Sequence, residues 1–172
     1  TDKELRNNRA TLDIKVVEAL LREFGEHGTG VTLEGGGEPT LYPHFREVAA
    51  AGERADVDMG LISNGTVDIS DCADKLKWIR ISLDSSTREE YIREKGIDCF
   101  ERVLENIQKI SATRNPQKTF VGVGYVLTTR NQGNLLGLIK QLDVIGVDYI
   151  YVRPVEEAGD ITPSLESLLD LR

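Results

Sequence analysis

The feature that most constrains the fold of this chain is a repeated alternation of short apolar runs with longer amphipathic segments. Five apolar runs bounded by turn residues predict strands, at residues 31–34, 59–63, 78–83, 120–127 and 149–152. Each run is apolar almost throughout, which is typical of strands covered on both faces of a sheet. The amphipathic segments between the runs predict helices. The sequence therefore belongs to the α/β class, in which strands and helices alternate.

Several of the predicted helices carry start and stop signals. In residues 12–24 the apolar side chains recur at the spacing of one helical face, and Gly25 is expected to end that helix. Ser86 with Glu89, and Asp98 with Glu101, have the spacing of capping boxes that open two further helices. A last helix is predicted at the 162–163 Thr-Pro pair, because proline suits a first helical position.

The spacing of the strands limits the architecture to two possibilities. Neighbouring runs are mostly separated by the length of a βαβ unit, roughly 30 residues, which favours a parallel sheet. Such a repetition forms either an open doubly wound sheet or a closed or partly closed barrel. The 172 residues suit a single domain over 1–172. In both architectures ligands bind at the carboxyl ends of the strands, so the residues after each strand are the functional candidates.

Charge and cysteine content exclude several kinds of function. The formal net charge is -8 and the pI about 4.9, so the protein repels phosphate backbones and anionic lipid surfaces. We therefore expect neither nucleic acid nor a membrane as a partner. The sequence shows no membrane-length apolar run and no signal-peptide pattern, which predicts a cytoplasmic protein. Cys72 and Cys99 form no zinc or redox motif, so no metal ligand is predicted.

The loop after the first strand is rich in glycine and contains an acid. Gly36 and Gly37 allow the backbone to approach a ligand closely, and Pro39 stiffens the exit from the loop. Glu38 suits a ligand with a cationic ammonium group better than one with phosphates, for which a lysine would be expected. A plain tight turn explains the glycines equally well.

Polar residues also follow the second and third strands. Ser63 and Asn64 end the second strand, where a simple turn is the alternative interpretation. Ser82 and Asp84 share one face of the third strand, as suits a ribose diol or another polar ligand. Helix capping is the alternative for this pair. Arg93 lies about two turns into the next helix, where most arginines are simply solvated.

The order of these short motifs is more specific than any one of them. Gly-Gly-Glu-Pro follows one strand, Ser-Asn-Gly the next, Ile-Ser-Leu-Asp lies on the third, and Arg153-Pro154 ends the last. This order resembles the core of the radical S-adenosylmethionine enzyme superfamily. The resemblance extends to Tyr91-Ile92-Arg93, to residues 104–107 and to Asn131, and it covers residues 12 to about 155. For Arg153 taken alone, an ion pair with a nearby glutamate is the alternative.

The resemblance implies a partial TIM-type βα barrel that binds S-adenosylmethionine and a [4Fe-4S] cluster. It implies that Glu38 and the Gly36-Gly37 backbone receive the methionyl ammonium, beside Pro39 and Ser63. It places Asn64, Ser82 and Asp84 at the ribose or methionyl group, Arg93 at the carboxylate, and Val126 and Arg153 around the adenine. It also implies reductive cleavage to a 5'-deoxyadenosyl radical that abstracts hydrogen from a substrate. We expect that substrate to be a small molecule or a peptide, and the electron donor to be a reducing protein.

The sequence departs from the family at the cluster. The family binds its cluster through three cysteines, usually CxxxCxxC, in a loop after the first strand, and Cys72 and Cys99 do not replace them. We therefore expect a chain truncated at its N-terminus, without the first barrel strand and the cluster loop, and inactive by itself. An auxiliary domain beyond residue 172 is a further expectation. The sequence assigns no catalytic residue.

Two other functions compete with this interpretation. One is a noncatalytic domain that binds S-adenosylmethionine or a nucleotide without any cluster. The other is an unrelated α/β enzyme that binds a nucleotide through the loop at Gly35. The second alternative requires a lysine or arginine near Thr40, which the sequence lacks.

Overall fold

The computed structural model describes residues 11–155. Its helices are α1 (Ile14–Glu26), α2 (Phe45–Arg54), α3 (Arg88–Lys95), α4 (Phe100–Thr113) and α5 (Leu135–Ile145). Its strands are β1 (Val31–Leu33), β2 (Met59–Ser63), β3 (Trp78–Ser82), β4 (Phe120–Leu127) and β5 (Tyr149–Pro154). Short 3-10 helices cover Pro39–Leu41, Ala73–Lys75 and Gln132–Asn134. The helix predicted at 162–163 lies outside the described residues.

All five strands form one parallel sheet in the order β1-β2-β3-β4-β5. Each strand lies beside the strand that precedes it in the sequence. A doubly wound sheet would instead reverse its strand order at a switch point. The sequential order is that of a barrel wall, so the structure confirms the predicted partial barrel and excludes the open doubly wound sheet.

The two faces of the sheet have different surroundings. The face toward the helices is a closed apolar core in which Leu61, Ile79 and Val123 pack near Ile107 and Ile110, all with at most 1% of their surface exposed. On the inward face of β3, in contrast, Arg80 and Ser82 remain partly exposed. The expectation of two covered faces was therefore wrong for β3, whereas β2, with four of its five residues buried, agrees with it. β3 alternates because one of its faces borders an open space.

Helix α1 does not end at Gly25 as expected. It continues to Glu26, and His27 caps it. A Cβ atom at position 25 would lie 1.9 Å from the carbonyl oxygen of Ala55, just after α2. The glycine therefore permits a close approach of two helix ends, which sequence spacing alone does not reveal.

The two predicted capping boxes also differ from the structure. In α3 the N-cap is Thr87, whose hydroxyl accepts from the backbone N–H of Glu90 at 3.2 Å. The Glu90 carboxylate accepts in return from the N–H of Ser86, so the box lies one residue later than predicted. The predicted cap residue of α4, Asp98, forms an ion pair with Arg88 instead. The N-cap position is occupied by Cys99, whose side chain makes no capping hydrogen bond.

Replacing Gly25 by alanine is expected to lower the free energy of unfolding by about 2 kcal/mol. The added methyl group overlaps a backbone oxygen that cannot rotate away, and this overpacking exceeds the gain in helix propensity. Gly137 in α5 is the matched control, because a Cβ there meets nothing within 4 Å. Urea unfolding should show Gly137→Ala at or slightly above wild-type stability. Equal stabilities of the two variants would contradict the packing role of Gly25.

No helix within residues 11–155 combines the length and the apolar character that a membrane crossing requires.

Candidate functional site

The predicted site residues collect at the carboxyl-terminal edge of the sheet, because parallel strands all end on the same side. They form two neighbouring groups. The first is the glycine-rich loop with the end of β2, and comprises Gly36, Gly37, Glu38, Pro39, Ser63 and Asn64. The second lines a cavity at the ends of β3, β4 and β5, and comprises Ser82, Asp84, Val126 and Arg153. Arg93 belongs to neither group.

Glu38 fastens the glycine-rich loop to the end of β2. Its Oε1 accepts from the backbone N–H and hydroxyl of Thr40, at 3.1 and 2.6 Å, and from the hydroxyl of Ser63 at 2.8 Å. Its Oε2 accepts from the backbone N–H of Asn64 at 2.8 Å. A carboxylate has about four acceptor positions, so these bonds fix its orientation and hold its charge at the mouth of the loop. Its contact with an ammonium group stays a prediction.

The glycines of this loop leave space that the described residues do not fill. A Cβ atom added at Gly35, Gly36 or Gly37 would meet no described atom within 4 Å, and these residues do not have a positive φ. Neither close packing nor turn geometry within the described chain therefore requires glycine at these positions. An open backbone cradle beside a fixed carboxylate fits a ligand that carries an ammonium group.

Ser63 and Asn64 have different roles at the end of β2. Ser63 is buried, donates to Glu38 and accepts from the N–H of Gly65 at 3.0 Å, so its contribution is structural. Asn64 is exposed, and its Oδ1 accepts from the N–H and hydroxyl of Thr66. This leaves the Asn64 amide NH2 group without a partner among residues 11–155, with its donors available to a ligand.

Asp84 connects the ends of β3 and β4. Its backbone is left-handed, with φ of 56°. Its Oδ1 accepts from the N–H of Val126 at 2.8 Å, and its Oδ2 accepts from Nζ of Lys95 at 2.7 Å. Aspartate is one of the few residues that tolerate this backbone conformation. The sequence analysis missed Lys95, although it lies near the predicted Arg93 on α3.

Asn131 is a second residue whose function the sequence analysis missed, although the family resemblance included it. The side chain is 2% exposed. Its Nδ2 donates to the carbonyl oxygens of Asp84 and Val126 at 3.0 and 2.9 Å, and its Oδ1 accepts from the N–H of Thr128 at 2.8 Å. One buried amide thus fixes the spacing between the ends of β3 and β4.

A buried tyrosine continues this network behind the site. The hydroxyl of Tyr125 donates to the carbonyl oxygen of Asn131 and lies 3.0 Å from the hydroxyl of Ser86. Burial raises the pKa of Tyr125 to about 12, so the phenol keeps its proton at neutral pH. It acts as a fixed donor that supports Asn131.

The cavity between β3 and β5 has a volume of about 180 Å³. The predicted residues Ser82, Asp84, Val126 and Arg153 line it, together with Arg80 and Tyr151, which the sequence analysis did not select. The inward alternation of β3 and the pairing of β4 with β5 bring these residues together.

Arg93 lies apart from both groups. Its Nε donates to the carboxylate of Glu94 at 3.2 Å, and its side chain is 51% exposed. Its role at a carboxylate stays a prediction.

The cysteines of this chain do not fit a [4Fe-4S] cluster. The whole sequence contains only Cys72 and Cys99, whereas the usual family motif supplies three thiolates. Cys72 is 3% exposed, and burial raises the pKa of its thiol to about 11, so it stays protonated at neutral pH. Cys99 caps α4. Residues 11–155 contain no cluster of three or more histidine, cysteine or acidic side chains placed to hold a metal.

Comparison with known sequences gives consistent matches. The sequence profile of the Radical SAM superfamily matches residues 2–142. A probable GTP 3',8-cyclase of Metallosphaera sedula is 29% identical over 167 residues, which cover 92% of this chain and 50% of that protein. The chain thus spans about half the length of the curated relatives it matches.

Comparison with solved structures shows the same fold. SuiB of Streptococcus suis bound to S-adenosylmethionine aligns with a TM-score of 0.73 at 18% identity, over 92% of this chain and 37% of SuiB. SuiB bound to its precursor peptide SuiA also gives 0.73, at 17% identity, over 92% and 36% of the two chains. At such identities the likeness establishes the fold, a parallel sheet of the radical SAM barrel type.

Proposed function

This chain belongs to the radical S-adenosylmethionine superfamily, and from that membership we propose that it forms the cofactor-binding part of a radical enzyme. The observation that carries the proposal is the set of polar groups at the carboxyl-terminal edge of the sheet. Three neighbouring strand ends present an open glycine backbone, a free amide donor at Asn64 and a hydroxyl at Ser82 beside Asp84. Membership in the family also removes the alternative of an unrelated nucleotide-binding enzyme.

We assign the methionyl end of S-adenosylmethionine to the glycine-rich loop. The backbone carbonyls of Gly36 and Gly37 accept from its ammonium group, and the charge of Glu38 strengthens that contact. Arg93 pairs with the carboxylate. The four hydrogen bonds at Glu38 support this assignment, because they hold the negative charge in place before the ligand arrives.

The ribose and adenine belong to the second group of residues. Asn64, Ser82 and Asp84 address the ribose or the methionyl chain, and Val126 and Arg153 bracket the adenine. The Asp84 carboxylate is already oriented by Val126 and Lys95, so its remaining acceptor positions point in defined directions. When bound, S-adenosylmethionine supplies a sulfonium whose carbon–sulfur bond breaks on reduction, and the protein's part is to bind, orient and shield it.

The [4Fe-4S] cluster that would pass an electron to S-adenosylmethionine needs ligands other than the cysteines of these 172 residues. Because Cys72 and Cys99 do not fit a cluster, we propose that the [4Fe-4S] cluster is bound by cysteines elsewhere in the complete protein and is reduced by a partner protein. The residues of this chain alone are then inactive. Its substrate is a small molecule or a peptide, consistent with relatives named for a nucleotide cyclisation and for binding a precursor peptide.

Calorimetric titration with S-adenosylmethionine tests the proposal. The protein should show saturable binding with one molecule per chain, and Glu38→Gln should weaken it about tenfold, because the neutral amide removes a charge-assisted contact. The variant Glu89→Gln, on the exposed side of α3, is the matched control and should bind like wild type. Absence of binding in the wild-type protein, or equal affinity of the two variants, would remove the assignment of this loop.

A further inference from the structure

One charged side chain on the inward face of the sheet has no task in the proposed cofactor site. Arg80 lies in the middle of β3, between Ile62 of β2 and Gly122 of β4. It points away from the apolar core and lines the cavity described above. Barrel interiors are normally filled by bulky branched side chains, so a partly buried guanidinium at this position is unusual for a structural residue.

Two aromatic rings hold the guanidinium of Arg80. Its Cζ lies 4.9 Å from the ring centre of Tyr151 and 5.8 Å from that of Trp78. A cation–π contact is made with the face of the ring and does not itself use the guanidinium N–H donors in hydrogen bonds. Within residues 11–155 the Arg80 side chain forms no hydrogen bond and no ion pair. The rings therefore orient the group without satisfying its donors.

The remaining charges around the cavity do not neutralise Arg80. Asp84 is already paired with Lys95. Glu34 is exposed to solvent at the rim. Among the described residues, the interior of the cavity thus offers an oriented positive group to whatever enters it.

Glycines on the neighbouring strand keep this space open. A Cβ atom at Gly124 would stand 3.6 Å from Cδ of Arg80, and any longer side chain there would occupy the cavity. At Gly122 the missing side chain is replaced by the ring of Tyr149, which a Cβ would approach to 2.2 Å. Gly124 thus leaves space in the cavity beside the Arg80 side chain.

We propose that Arg80 binds an anionic group of the substrate, a carboxylate or a phosphate. The planar fork of the guanidinium matches the two oxygens of either group, and the flanking rings fix the direction of approach. This inference rests on the proposed function, because Arg80 precedes Ser82 on β3 and so lies farther from the carboxyl-terminal edge than the residues assigned to the cofactor. It makes Arg80 a specificity-determining residue for an acidic substrate.

Trp78 provides a direct test, because it is the only tryptophan of the chain and lies beside Arg80. Its fluorescence should change in a saturable way when pyrophosphate or malonate is added, and should not change with chloride at matched ionic strength. Arg80→Gln should weaken the response at least tenfold. Arg80→Lys, which keeps the charge without the fork, should give an intermediate affinity. The exposed Arg102→Gln on α4 is the control and should respond like wild type.

The outcomes separate this inference from the proposed function. A response to pyrophosphate alone assigns a phosphate, and a response to malonate alone assigns a carboxylate. No saturable response to either anion, or an unchanged response in Arg80→Gln, overturns the inference. Calorimetry with S-adenosylmethionine is run separately on the same variants, so that anion binding and cofactor binding are measured independently. Failure of that binding in the wild-type protein, with the anion response intact, contradicts the proposed function only.

Discussion

Replacing Asn131 by aspartate should lower the free energy of unfolding by about 3 kcal/mol. The substitution keeps the acceptor for Thr128 but removes the donors that satisfy the carbonyl oxygens of Asp84 and Val126. Each buried polar group left without a partner costs about 1–3 kcal/mol, and the new carboxylate also faces two carbonyl oxygens. For a chain of this size the melting temperature should fall by roughly 6–12 °C.

The pH dependence of this variant separates the hydrogen bonds from general disruption. A protonated carboxyl group can donate one bond where the ionised group cannot. The folded protein should therefore favour the protonated form, and the stability deficit should shrink as the pH falls through the titration of the new carboxyl group. Asn115→Asp, in an exposed turn, is the matched control and should change stability by less than about 0.5 kcal/mol. A loss below 1 kcal/mol in Asn131→Asp would contradict the role of Asn131 as the link between β3 and β4.

Replacing Asp84 by alanine should weaken S-adenosylmethionine binding by about a hundredfold. The change removes the proposed contact with the ligand and also releases the N–H of Val126 and the ammonium of Lys95. Two hydrogen bonds from the ribose hydroxyls to the charged Asp84 carboxylate, at about 1.5 kcal/mol each, correspond to a loss of that size, whereas the released Val126 and Lys95 groups affect stability. Alanine at a left-handed backbone position adds a cost of about 1–2 kcal/mol in folding.

Asp84→Asn distinguishes the two contributions. Asparagine tolerates the left-handed backbone and can still accept from Val126, but it lacks the charge that pairs with Lys95. It should remain close to wild-type stability while affinity falls about tenfold, as measured by calorimetry and urea unfolding. If both variants bind S-adenosylmethionine like the wild type, Asp84 only connects the strands and has no part in ligand binding.

The local spacing of apolar and turn residues was sufficient to predict most of the strands. The strands β2 and β4 have the predicted bounds, and β1 and β3 each end one residue earlier than predicted. These runs are short, continuous and bounded by turn residues, so neighbouring residues alone indicate them. Gly146 ends α5 with φ of 85°, which is typical of a glycine in a left-handed cap.

Helix ends were less predictable, because their caps depend on competition with other partners. Asp98 has the spacing of a cap but pairs with Arg88, ten residues away. Gly25 resembles a terminator but serves the contact with Ala55. In both cases a tertiary contact, invisible in the local sequence, determined the outcome.

The sequence by itself determined the class of fold, and it predicted the edge of the sheet where most candidate ligand-binding residues lie. These depend on contacts between residues a few positions apart and on the rule that parallel strands end together. Only the tertiary structure decided the strand order, the four bonds at Glu38 and the links from Asp84 to Val126 and Asn131. Those links join residues 42 and 47 positions apart, and their partners become neighbours only when strands pair across the sheet. The same pairing places Arg80 on the inward face of the sheet, near the rings of Trp78 and Tyr151.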